Sequence, residues 1–253
     1  MSSPSSASAE LIEALVDANH ILHHQGIVDA FGHVSVRHDR DPGRFLLARN
    51  MAPARVQATD ILEYDVATGE ALVPNPPRLY LERTIHSEIY KARPDVMAVV
   101  HNHSPAVLPF CIARGARLRP VCHMAGFLGG ADAPDGPLLF EIRDHAGPAS
   151  DLLIRNRELG AALARTLGNS RVVLMRGHGC TVVADSLPVA VFRAVYTEVN
   201  ARLLLQALPL GEVNALTSQE ADATRITNEA QAARPWDLWR EQARRAQHER
   251  SNG

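Results

Sequence analysis

Apolar and polar residues along this chain follow two different periods. Between residues 9 and 25 the apolar positions Leu11, Ile12, Leu15, Val16 and Leu22 fall on one helical face, and Gly26 supplies a C-terminal stop. Val34 and Val36 then alternate with His33, Ser35 and Arg37, the period of a half-buried strand. Short apolar runs come next at 45–47 and 61–64, with turn signals at Asp41-Pro42-Gly43 and Thr68-Gly69. Pro74, Pro76 and Pro77 break regular structure before a helix over roughly 79–92, which Arg93-Pro94-Asp95 stops. Residues 96–100 read as a buried strand that delivers His101, Asn102 and His103 at its exit.

The second half repeats this grammar. Asn156 caps an expected helix to about Leu167, ended by Gly168 and Asn169. Residues 171–175 form an apolar, β-rich run into Arg176-Gly177-His178-Gly179. Ser186, with Pro188 behind it, opens a long helix with Gly211 beyond its end, and Thr217 with Glu220 spells a capping box for another. Pro235-Trp236-Asp237 begins a polar C-terminal segment, expected as a helical tail over 235–253, whose Trp236 and Trp239 need a surface to pack on. Residues 1–7 are Ser-rich and expected to be loose, and no linker divides the chain, so one α/β domain over 1–253 is expected.

Composition narrows the classes. The 253 residues are 46% hydrophobic and 21% charged, ordinary for a globular chain. A formal net charge of -2 offers no footprint for nucleic acid or an anionic membrane, and no apolar run is long enough to span a bilayer. Three cysteines (Cys111, Cys122, Cys180) make no disulfide framework, and the first residues lack the pattern of a signal peptide, so a cytoplasmic protein is expected. The unusual count is histidine, at 12.

His101 and His103 are two apart on an extended segment, so their side chains share a face about 7 Å apart. A lone His-x-His pair is equally well a pair of surface or core histidines. His178 adds weight to a metal reading: it stands between two glycines at the exit of another buried strand, and three histidines suit a catalytic cation with an open position. Glu82, four residues before His86, is either a solvated helix residue or a carboxylate that can ligate a metal or move a proton; His86 reads better as a support for a neighbour than as a ligand.

Taken together, Phe31-Gly32-His33-Val34-Ser35-Val36-Arg37, Glu82 with His86, Arg93-Pro94-Asp95-Val96, Val99-Val100-His101-Asn102-His103-Ser104 and Arg176-Gly177-His178-Gly179 resemble the class II aldolase and adducin-head superfamily. The resemblance implies a three-layer α/β/α fold around a mainly antiparallel sheet, metal on His101, His103 and His178, Glu82 as acid/base, and a homotetramer with active sites between subunits. Zn2+ is the first choice, with Mn2+, Fe2+, Co2+ or Mg2+ also suited to such a site. Adducin-like binding modules lack the ligand histidines, which favours an enzyme here.

The departures bear on the substrate. Sugar-phosphate aldolases of this superfamily carry Asn where this chain has His33, a small Thr- and Gly-containing turn near Ala48-Arg49-Asn50, and paired serines where it has Tyr80 and Leu81. Such bulk does not rebuild a phosphate cradle, which needs small residues and open backbone N–H groups. Gly32-His33-Val34-Ser35, Met175-Arg176-Gly177-His178-Gly179 and the helix over 192–200 look like a decarboxylase branch acting on dihydroxyphthalates or hydroxy-carboxymuconic semialdehydes. On that resemblance a small carboxylic acid is the expected partner, held by Arg49 with His33 and Ser35. His123 and Tyr196 are expected to complete the pocket from the same or a neighbouring subunit. Each has a plainer reading: Arg49 as a surface arginine, His123 as a buried hydrogen-bonded histidine, Tyr196 as a core aromatic. An aldolase for an unphosphorylated hydroxy-keto acid, a silent adducin-like module and an iron-dependent oxygenase remain the alternatives.

Overall fold

Val99 and Val100 are adjacent in the chain but enter different cores, and that alternation organises the molecule. The computed structural model describes residues 6–251. Residues 1–5, most of the segment expected to be loose, lie outside the described residues, as do 252 and 253; Ala7 N–H donates to Glu63 Oε1 at 3.4 Å.

In chain order the elements are α1 (Ala9–His24), β1 (His33–Arg37), β2 (Arg44–Ala48), β3 (Ile61–Asp65), α2 (Arg83–Ala92), β4 (Ala98–Asn102), α3 (Leu108–Ile112), β5 (Leu138–Phe140), α4 (Arg143–Ala146), α5 (Arg157–Leu167), β6 (Val172–Met175), β7 (Gly179–Ala184), α6 (Leu187–Ala207), α7 (Ser218–Glu229) and α8 (Ala233–Ser251). The strands form one seven-stranded sheet in the order β3-β2-β1-β4-β7-β6-β5. All neighbours are antiparallel except β5 with β6, so the expected mainly antiparallel sheet is mixed at one edge.

One face of the sheet, with Val34, Val36, Val100, Leu174 and Val182, packs against α1 and α6, on which α8 lies in turn. The other, with Phe45, Leu47, Val99, Val173 and Val183, packs against α2 and α5 through Ile85, Ile89, Leu159 and Leu163. This is the three-layer α/β/α arrangement. α8 closes the first layer: Trp236 and Trp239 are buried, and Arg244 grips Asp17 of α1 at 2.7 and 2.8 Å. No helix among the described residues is long and apolar enough to cross a membrane.

Strand register decides which side chains meet. His33 pairs with His101 across β1 and β4, and Asn102 with Cys180 across β4 and β7. The start of β1, the end of β4 and the start of β7 therefore meet at one end of the sheet. Because side chains alternate, His33, Ser35 and His101 share the face that carries Val99, toward α2.

Candidate metal centre

His101, one residue before the end of its strand, is fully buried, and His103 stands just beyond the strand, so that the two Nε2 atoms lie 3.2 Å apart. His178 arrives from the connection between β6 and β7, its ring centroid 4.9 Å from that of His101 and 5.0 Å from that of His103. This approach depends on Gly179. Its φ of +155° is disfavoured for other residues, and a Cβ there would sit 2.1 Å from Asn102 O.

Glu82 completes the group. It stands at the N-cap position of α2 without a side-chain capping bond, just outside the helix, which starts at Arg83. Its Oε1 accepts the Ile154 N–H at 2.9 Å, which leaves Oε2 at 3.5 Å from His178 Nε2 and 3.7 Å from His101 Nε2. One ligand atom from each of the four residues lies within 4.8 Å of all the others. Bonds of about 2.1 Å to a tetrahedral cation place neighbouring ligand atoms about 3.4 Å apart. The separations of 3.2, 3.5 and 3.7 Å bracket that value, so the donor set fits a divalent ion.

The far sides of two rings are braced. His178 Nδ1 donates to Leu152 O at 2.9 Å, and His101 Nδ1 lies 3.3 Å from Thr181 Oγ1, whose own hydrogen points to Met175 Sδ. Both Nε2 lone pairs are thereby aimed at the centre. Leu152 holds a left-handed φ of +70°, a conformation that costs a side-chain-bearing residue about 1–3 kcal/mol and turns its carbonyl toward His178. Burial, then repulsion from His178 and His33, pushes the His101 imidazolium well below its ordinary pKa. His103 is lowered by burial and by His178, against the pull of Glu82 and Asp29. Neutral rings are the form that binds a cation.

Behind the centre runs a buried polar chain. His33 Nδ1 meets His86 Nε2 at 2.6 Å, His86 Nδ1 meets Ser35 Oγ at 2.6 Å, and Ser35 Oγ meets Tyr90 OH at 2.8 Å. His86 is fully enclosed, and burial lowers its pKa to about 3. Ser35, expected to touch substrate, stands behind His33 instead, fully buried with its hydroxyl engaged on both sides.

Arg49 comes directly after β2 at the same end of the sheet. Its carboxylate partner within the chain is Asp60, reached from Nε at 2.7 Å, and its charge acts on Tyr80, whose ring lies 4.7 Å from that of His33. His123 and Tyr196 are not brought to the cluster within this chain. His123 is exposed on a 3-10 turn whose carbonyl accepts from Asn228, and Tyr196 packs on Phe192 and Trp239, because its face of α6 is turned toward α8. Cys180 is buried against Asn102 Oδ1 and stands outside the ligand group. The Leu152–Ile154 backbone, Tyr90 and Thr181 carry no sequence signal of their roles, since a carbonyl or an N–H belongs to every residue; the i, i+4 spacing of Glu82 and His86 is the one clue to the supporting chain.

Fold and site together define an α/β protein of the aldolase type, with a His and Glu cluster whose spacing suits a metal ion. Residues 13–205 match the Class II Aldolase and Adducin N-terminal domain, and the chain belongs to that family. It is 37% identical over 248 residues to decarboxylase tropJ of Talaromyces stipitatus, covering 90% of this chain and 92% of that protein. It is 33% identical over 214 residues, 79% of each chain, to the 3,4-dihydroxyphthalate decarboxylase of Arthrobacter keyseri. Among solved structures, L-fuculose 1-phosphate aldolase from Glaciozyma antarctica PI12 superposes with a TM-score of 0.73 at 20% identity, over 98% of this chain and 95% of that one. The decarboxylase branch is thus the part of the family it resembles in sequence, while the aldolases share its fold.

Proposed function

We propose that this protein is a divalent-metal-dependent carbon–carbon lyase that decarboxylates a hydroxylated aromatic or ring-cleavage carboxylic acid. The observation that carries the reading is the convergence of His101, His103, His178 and Glu82 at ligand spacing. The similarity to two decarboxylases supports the reaction type.

His101, His103 and His178 would hold the cation, with Zn2+ the first choice. When bound, the cation supplies Lewis-acid stabilisation of charge that develops on a substrate oxygen. His33 and Arg49 orient the acid. The bond to the carboxylate breaks, its electron pair stays on the substrate, and carbon dioxide leaves. Glu82 takes the proton of a substrate hydroxyl and returns it to the carbon that carbon dioxide leaves; its anchored Oε1 keeps Oε2 in reach. Buried Tyr80 fills the space beside His33 with a ring, which supports an unphosphorylated substrate. The three cysteines are unpaired, which supports a reducing, cytoplasmic setting. In the homotetramer that belongs to this proposal, the exposed His123 would serve the cluster of a neighbouring subunit, whereas Tyr196 is packed within its own chain.

The test offers metal-loaded protein a panel of ortho-dihydroxy and 2-hydroxy-3-carboxy acids and monitors carbon dioxide. Release that vanishes in His103→Ala is expected. Aldehyde or pyruvate in its place would make the protein an aldolase.

A further inference from the structure

The chain Tyr90–Ser35–His86–His33 has two possible directions, and only one satisfies every proton. Tyr90 is buried, and its hydroxyl has one acceptor in reach among the described residues, Ser35 Oγ; the other polar groups acting on it, the Arg37 guanidinium and the Val99 N–H, are donors. If protons pointed from His33 toward Tyr90, the phenolic hydrogen would end with no acceptor, and a buried unsatisfied donor costs about 1–3 kcal/mol. In the opposite direction Tyr90 donates to Ser35, Ser35 to His86 Nδ1, and His86 Nε2–H to His33 Nδ1. Every link is then made, and the last hydrogen sits on His33 Nε2. That atom has no hydrogen-bond partner among the described residues, and the His33 ring lies 5.0 Å from that of His101 at the edge of the cluster.

We infer that Tyr90, through Ser35 and His86, locks His33 as its Nε2–H tautomer, a neutral donor for an anionic oxygen of the bound substrate. This rests on the lyase reading for the substrate and on the chain alone for the tautomer. The direction also decides what His33 is not. A protonated Nε2 has no lone pair for a cation, so His33 is no fourth imidazole ligand although it adjoins His101. A fixed, uncharged donor in a dry site interacts most strongly as negative charge grows on its acceptor; with that acceptor the substrate oxygen that takes up the charge of the broken bond, and not the departing carboxylate beside Arg49, its effect falls on turnover more than on binding.

The experiment is nitrogen-15 spectroscopy of histidine-labelled, zinc-loaded protein without substrate, with His33 assigned by comparison with His33→Phe. The expected spectrum shows His33 bare at Nδ1 and protonated at Nε2. Protonation at Nδ1, or an even mixture of tautomers, overturns the proposal. Ser35→Ala removes the donor to His86 and should release His33 into a mixture, with kcat down about tenfold, KM within about twofold and zinc retained; Ser35→Thr, which keeps the hydroxyl, should restore both. An unchanged Nε2–H signal in Ser35→Ala would show that the chain does not set the tautomer. Because the spectrum needs no substrate, this result stands or falls separately from the choice between decarboxylase and aldolase.

Discussion

Glu82 divides its labour between two oxygens: Oε1 is tied to the Ile154 amide, and Oε2 faces the imidazoles. Glu82→Gln keeps an oxygen for the amide and leaves three imidazoles for the cation, so bound metal should stay stoichiometric. What it removes is the transferable proton, and turnover should fall about 10²–10⁴-fold. Metal analysis beside steady-state rates checks both halves, and an unimpaired rate would take Glu82 out of the chemistry. His86 makes a separate prediction about stability. Its pKa is lowered by burial to about 3, against an ordinary value near 6.5. Above about pH 6.5 the ring is neutral in both folded and unfolded chains, and stability is full. As the pH falls toward 3, the unfolded chain takes up a proton that the folded one refuses, and each pH unit costs about 1.4 kcal/mol. Urea midpoints of the metal-free protein between pH 7 and 4.5 should fall accordingly, and His86→Asn should lose that share of the slope.

Between the residues and the sheet stands an unassuming segment. The Ile154 carbonyl accepts from Thr84 Oγ1 at 2.8 Å, its N–H serves Glu82, and Leu152 O serves His178. One stretch of backbone pinned to the start of α2 thus holds both the carboxylate and an imidazole. Thr84→Val keeps the shape and removes the pin, leaving a buried carbonyl without its donor at a cost of about 1–3 kcal/mol. Metal affinity should drop about tenfold, as when a ligand loses its support, and Thr84→Ser should recover it; titration with zinc reads both. Nothing in the sequence announces this segment. Elements with a clear period or cap are legible: α1, β1, α5 and the capping box of α7 fall within a residue or two of their expected limits. The helix expected from residue 79 starts at Arg83, because Glu82 is drawn to the 154 amide instead of entering the helix. β7 leaves no strand signature: it is buried on both faces, so it shows no alternation, and it opens with a glycine. β5 has three residues, two of them exposed apolars, and is too short for a period to show.

At the scale of the whole molecule, the centre is assembled from distant parts: Glu82 from the start of α2, His101 and His103 from the end of β4, and His178 from the turn between β6 and β7. The sequence shows histidines at strand exits, but the meeting of those exits is a property of strand order, with β4 beside β7 and the two antiparallel. Order and register leave no local trace, so this part is legible only through the family resemblance. The same remoteness gives a thermodynamic consequence. The unfolded chain holds these four side chains far apart and has no preformed site, so a cation that binds the folded state raises its stability by mass action. At a free concentration 100 times the dissociation constant the gain is about 2.7 kcal/mol, which for a domain of this size corresponds to about 5–10 °C in Tm. Thermal unfolding with zinc and after chelation should differ by that amount. Glu82→Gln, which keeps all three imidazoles, should retain most of the difference, while His103→Ala should lose most of it. Equal Tm values for wild type with and without metal would mean that the four side chains meet without binding an ion, and the lyase reading would fall with them.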